Sequence, residues 1–292
     1  MNSPIVPKIT TKNILGRLLV YILLWFGCVL IAFVPIFIFN ELFFDWNFRN
    51  IAPYPNEIKL TTNIGIFAGT ILATYIIMRR EHRTLSSIFI TPVRSGLVKG
   101  FGIGALFMVV FMILTSLFGI IRFEWAGFTQ QFYFDLFFYF MVAISEEIVS
   151  RGHILSILKE KFSNFNSLLF SSVFFGLMHL ANDHVTFIGI ATISTSGFLM
   201  GYVTLKTGSI SMAVGLHWAW NFFQGAILGL AVSGNNELGI FNPQFLSTPL
   251  LTGGNFGAEG SFIMLIINII VIILFYRFWF RLSGLNAEKL MP

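Results

Sequence analysis

Four kinds of polar side chain, Glu, Arg, His and Asn, sit within otherwise apolar stretches of this chain. The segment FYFMVAISEEIVSRGHILSIL, residues 138–158, reads as a membrane helix. Yet it carries Glu146, Glu147, Arg151 and His153 within eight positions. Further on, FFGLMHLAND contains His179, and GLHWAWN contains His217 and Asn221. Each ionised group at the centre of a spanning helix costs roughly 2.5–3.5 kcal/mol on insertion scales, so such groups call for partners or a function. A carboxylate beside an imidazole can take a proton from water as the water attacks a carbonyl, then pass it to the leaving amine. A second imidazole and an amide can hydrogen-bond the oxyanion that develops. Glu and two His could equally form a zinc set, since three protein ligands plus water is usual at catalytic zinc.

Helical spacing sorts these groups. Glu147 and Arg151 are four apart and share a face, where they can pair and lower the cost of burying both. Glu146 points about 100° away, with Ser150 rather than a cation four residues on, and is left without a local counter-charge. His217 and Asn221 are four apart and project together. Gly176, one turn before His179, admits a close neighbour. His153 is expected at the interface, His184 in a turn and His82 in a basic loop, while Trp218 and Trp220 read as packing or cavity-wall residues. At about 1.5 Å per residue, Glu146 lies about 20 Å, His179 about 21 Å and His217 about 12 Å from the cytoplasmic ends of their spans. All three depths fit a hydrocarbon core about 30 Å thick.

The elements that must position these residues are membrane helices. The 292 residues are 56% hydrophobic and 11% charged, with 36 Phe, against about 25% charged in soluble domains. The expected fold is all-α: a polytopic bundle of about eight transmembrane helices in one domain, residues 1–292, with a core at 132–231. Apolar runs place the spans at Leu18–Phe39, Thr61–Met78, Leu97–Ile121, Phe132–Leu158, Phe165–Ala181, Val185–Tyr202, Ile210–Ala231 and Phe262–Phe280. The first run is too long for a signal-peptide core and is read as a retained span. With eight alternating spans, Lys8, Lys12, Arg17, Arg79, Arg80, Arg83, Arg94, Lys99, Lys159, Lys161, Lys206, Arg277, Arg281 and Lys289 fall on one side. Only Arg49, Lys59 and Arg122 fall on the other, which puts both termini in the cytoplasm.

The net charge of +5 reflects those loops rather than nucleic-acid binding, because no basic patch stands apart from the spans. The single cysteine, Cys28, lies in the first span and can form no internal disulfide. Glycine pairs four apart, Gly65/Gly69, Gly100/Gly104, Gly197/Gly201 and Gly225/Gly229, suit close helix crossings. The segment 233–261 is read as a polar loop of turns.

Taken in order, Glu146-Glu147-x-x-x-Arg151, Phe175-x-x-x-His179 and His217-x-x-x-Asn221 resemble the signature of the CPBP intramembrane glutamic endopeptidases. These are the CaaX-protease and bacteriocin-processing group, formerly the Abi family. The LTGGNFGAEG stretch before the last span is similar to family members as well. The resemblance implies an eight-helix fold with a cavity open to the cytoplasmic side. It implies that Glu146 and His179 activate water, that His217 and Asn221 hold the oxyanion, and that catalysis needs no metal or other cofactor. The expected substrate is a membrane-associated peptide or protein, and the expected setting a lipid bilayer, that of a bacterial cytoplasmic membrane. A proton-coupled transporter built on Glu146 and a non-catalytic membrane scaffold are the competing readings.

Overall fold

A computed structural model describes residues 11–44 and 56–282. Lys8, Arg49, Lys289 and both chain termini lie outside the described residues. The chain runs through α1 (Thr11–Phe44), α2 (Asn56–Glu81) and α3 (Arg94–Leu117), then a strand β1 (Ile121–Trp125) and α4 (Gln130–Glu147). A π-helical segment, Ile148–Ile154, continues α4 into the short α5 (Leu155–Leu158). After α6 (Asn164–Leu177), α7 (Phe187–Thr207) and α8 (Ser211–Phe222), a second π segment, Phe223–Ile227, leads into the long loop. That loop holds β2 (Phe241–Phe245) and α9 (Pro249–Thr252), and α10 (Phe262–Leu282) follows.

Among the described residues, α1, α2, α3 and α7 are long and apolar enough to cross a membrane, and α6 and α10 contain shorter apolar helices. Large apolar side chains such as Leu19, Phe26, Ile31, Leu106, Leu117 and Ile270 face outward. In a bilayer that outward face is the favourable one, because lipid tails replace water against it. The architecture is a membrane helix bundle. The segments that carry the chemistry are the ones too short or too polar to register as simple spans: α8 has 12 residues, and α4 ends in two glutamates.

One expectation is corrected here. The bundle is mostly helical rather than all-α: β1 pairs antiparallel with β2, from Ile121 opposite Phe245 to Trp125 opposite Phe241. The third apolar run therefore ends in a strand, and the 233–261 loop is tied down rather than built of turns alone. Alternating β-branched and aromatic residues in Ile121-Arg-Phe-Glu-Trp favour a strand, and a two-stranded ribbon leaves an unpaired edge that can admit Pro243.

The glycines do what their spacing suggested. A Cβ on Gly100 would lie 2.1 Å from the Met212 carbonyl oxygen, one on Gly104 2.2 Å from that of Leu216, and one on Gly215 2.1 Å from that of Leu97. The backbones of α3 and α8 thus meet directly, which fixes the helix bearing His217 and Asn221. Gly176 similarly lets α6 approach α7, where an added Cβ would lie 2.0 Å from Ser194 Oγ.

The bundle has two distinct ends. At one, Arg17 of α1 pairs with Glu81 of α2 (2.6 Å) and with Glu160 after α5, and Arg83 approaches Glu160 at 3.5 Å. Ser211 Oγ accepts from the Val93 amide at 3.0 Å, which joins the start of α8 to the residue before α3. At the other end lie the β1–β2 ribbon, the Lys59–Glu237 pair (3.3 Å) and the loop after α6.

Candidate active site

His179 does not sit within a helix, as its span assignment implied. Regular α-helix stops at Leu177, and the His179 amide bonds back to Gly176 at 3.0 Å in a tighter turn. That frees the Phe175 carbonyl, which the His179 side chain caps, with Nδ1 2.9 Å from the oxygen. A histidine near a helix C-terminus commonly takes this role. A carbonyl can only accept, so Nδ1 carries a proton, and in the neutral tautomer that this contact selects Nε2 is the acceptor. That nitrogen is 4.0 Å from Glu146 Oε2. The Phe-x-x-x-His spacing is the spacing this cap requires.

Glu147 is fully buried and pairs with Arg151 at 2.8 Å, as the four-residue spacing predicted. The structure adds two contacts that the sequence did not disclose. His217 Nδ1 lies 3.0 Å from the same Glu147 oxygen, and Arg151 Nη2 donates to the Gly197 carbonyl at 3.1 Å. The Arg151 guanidinium also lies 4.2 Å from the centre of the Phe175 ring, a favourable cation–π placement. Glu147 accepts from Arg151 and from His217 Nδ1, so His217 turns Nε2 toward Glu146 Oε2, 3.8 Å away.

Glu146 differs from its neighbour. Its side chain is 32% exposed, and Oε2 accepts no hydrogen bond from the described residues. It faces a cavity of about 600 Å³ that is also lined by His179, His217, Asn221 and Trp220. The four residues singled out from sequence therefore share one cavity. Trp218 is a packing residue: its indole N–H donates to the Leu136 carbonyl at 2.8 Å, and its ring meets Phe101 and Phe140 edge-on.

His153 is a second correction. It is buried rather than interfacial, stacked on Tyr21 of α1 with ring centres 4.3 Å apart, and its Nε2 is 3.2 Å from Thr74 Oγ1. Its place in the π segment is covered by Tyr21 of α1 and Thr74 of α2. Such segments recur where a helix carries a functional site.

Several cavity residues have no local signal in the sequence. Asn182 donates to the Ser233 carbonyl at 3.0 Å, Ser233 Oγ donates to Glu259 at 3.2 Å, and Gln224 donates to the same carboxylate. Glu259 belongs to the loop before α10. Burial pushes its carboxyl up to about 7, against the opposing pull of those hydrogen bonds. The chain of contacts ties the end of α6 to the end of α8. As for a metal, the donor types at Glu146, His179 and His217 are suitable for zinc. Among the described residues, however, no group of three or more His, Cys, Asp or Glu side chains is gathered to hold one.

Comparison with known proteins bears on the same segment. The chain is 28% identical over 184 residues to YyaK of Bacillus subtilis (strain 168), an uncharacterized protein; the match covers 57% of this chain and 60% of that relative. The chain thus spans under two thirds of the relative's length. Residues 128–223 match the family described as type II CAAX prenyl endopeptidase Rce1-like. Those residues include Glu146, His179, His217 and Asn221, so the segment that builds this wall of the cavity is the part of the chain that is similar to the Rce1-like family.

Proposed function

We propose that this protein is an intramembrane endopeptidase of the glutamic type. The observation that carries the reading is the placing of Glu146 Oε2 at 4.0 Å from His179 Nε2 and 3.8 Å from His217 Nε2, on a glutamate that lines the cavity together with both histidines. A carboxylate and an imidazole nitrogen that both accept will hold a water by its two hydrogens. The water's lone pair is then free to attack a peptide carbonyl. As the C–O bond forms, Glu146 takes the proton. The oxyanion is held by Asn221 Nδ2 and by His217 Nε2, the latter with protons on both ring nitrogens and Nδ1 kept on Glu147. When the C–N bond breaks, the proton passes from Glu146 to the leaving amine. Nothing in this sequence of steps runs through a metal.

The substrate is a membrane-associated peptide or protein, cut in peptide processing, immunity or regulatory proteolysis. The whole chain, residues 1–292, is read as a single membrane domain whose catalytic core spans about 132–231. It crosses a bacterial cytoplasmic membrane eight times with both ends in the cytoplasm. The succession of helices supports this topology, because α1 and α3 begin, and α2, α5 and α7 end, at the ion-paired end. The test is cleavage by purified protein. Glu146→Gln loses turnover and keeps its melting temperature in detergent, and retained turnover sinks the assignment. A flux assay in liposomes separates this reading from a transporter, which would move a solute without cutting a bond.

A further inference from the structure

The cavity and the basic residues occupy opposite ends of the bundle. Arg17, Arg79, Arg80, Arg83, Arg94, Lys99, Lys159, Lys161 and Lys206 all stand at or near the helix ends and turns of the ion-paired end. Lys59 and Arg122 are the described basic residues at the other. The parts of the cavity wall nearest the basic end are closed: Ser150, Ser196, Met200 and Leu216 are 1%, 7%, 3% and 1% exposed. At the far end the lining includes Met178, 36% exposed, and Asn235, which is also exposed. A separate hollow at the basic end, lined by His82, Arg83, Lys159 and Glu160, shares no lining residue with the catalytic cavity. Water and substrate therefore reach Glu146 from the end bearing the loop after α6 and the β1–β2 ribbon.

Loops rich in Lys and Arg stay on the cytoplasmic side of a membrane. Combining this rule with the closed floor and the open far end, we infer that the cavity opens on the extracytoplasmic face. The substrate is then a peptide or tail presented at the outer surface of the membrane. This departs from the cytoplasmic opening expected from the family resemblance. It also rests on the endopeptidase reading for what enters the cavity, though not for which way the cavity faces. The apolar part of the wall, with Phe33, Ile66, Phe138 and Val142 beside Met178, suits the membrane-embedded portion of such a substrate.

The test reads orientation without reading activity. In a Cys28→Ser background, which removes the native cysteine, single cysteines are placed at the cavity mouth (Asn235→Cys) and at the basic end (Lys161→Cys). Intact cells are treated with a membrane-impermeant maleimide, then permeabilised and treated again. The inference expects position 235 to label in intact cells and position 161 to label only after permeabilisation. Failure of position 235 to label in intact cells overturns it, as does labelling of position 161 there. A protein that labels as expected but shows no Glu146-dependent cleavage would overturn the endopeptidase reading and leave the orientation standing.

Discussion

Two adjacent carboxylates at the end of α4 meet opposite surroundings. On one face Glu147 is fully buried and shared between Arg151 at 2.8 Å and His217 at 3.0 Å, and Arg151 is held in turn by the Gly197 carbonyl and the Phe175 ring. On the other face Glu146 looks into the cavity, a third exposed, with two imidazoles near it but neither within hydrogen-bond reach. The same chemical group serves as a fixed strut in one case and as an available base in the other. What differs is whether protein donors reach the carboxylate: Arg151 and His217 both meet Glu147 Oε1, whereas Glu146 Oε2 has no hydrogen-bond partner among the described residues. Partners offset part of the desolvation cost of a buried charge and hold it in place, whereas a carboxylate left for water is free to react.

Substitutions can break this contrast in order of expected effect. Glu146→Gln removes the proton acceptor and should lower kcat by roughly 10²–10⁴-fold with little change in melting temperature. Glu147→Gln leaves Arg151 buried without its counter-charge, at a cost of about 3 kcal/mol in stability, read as a lower melting temperature. Turnover should fall as well, since His217 loses its acceptor. An unchanged melting temperature would mean that the two glutamates have been given the wrong roles. Asn221→Ala removes one oxyanion donor and should lower kcat by about 10²-fold, with substrate binding little affected. The smallest expected effect is none: treatment with a zinc chelator should leave cleavage unchanged. Loss of activity that added zinc restores would make Glu146, His179 and His217 ligands rather than base, partner and oxyanion donor.

Sequence carried the chemistry further than the architecture. Spacing alone separated Glu146 from Glu147, paired Glu147 with Arg151 and put His217 with Asn221, because four-residue neighbours on a helix meet regardless of the rest of the fold. The glycine pair Gly100/Gly104 marked a crossing that holds α8 against α3. The expectations failed where a neighbouring helix or an early helix end decides a residue's surroundings. Tyr21 of α1 and Thr74 of α2 cover His153, and the early end of α6 puts His179 in a turn that caps Phe175. Long-range contacts left no local trace. Asn182 meets Ser233 across 51 positions, and β1 finds β2 more than a hundred residues away. The direction in which the cavity opens depends on the burial of residues from three separate segments, and no motif encodes that.

The most direct measurement compares membranes containing the wild-type protein with membranes containing Glu146→Gln, at matched protein levels, by mass spectrometry of peptide termini. New termini present with the wild type and missing with the variant are the predicted result, and they would name the substrate as well. Identical sets of termini from the two membranes would contradict the assignment of Glu146 as the base of a protease.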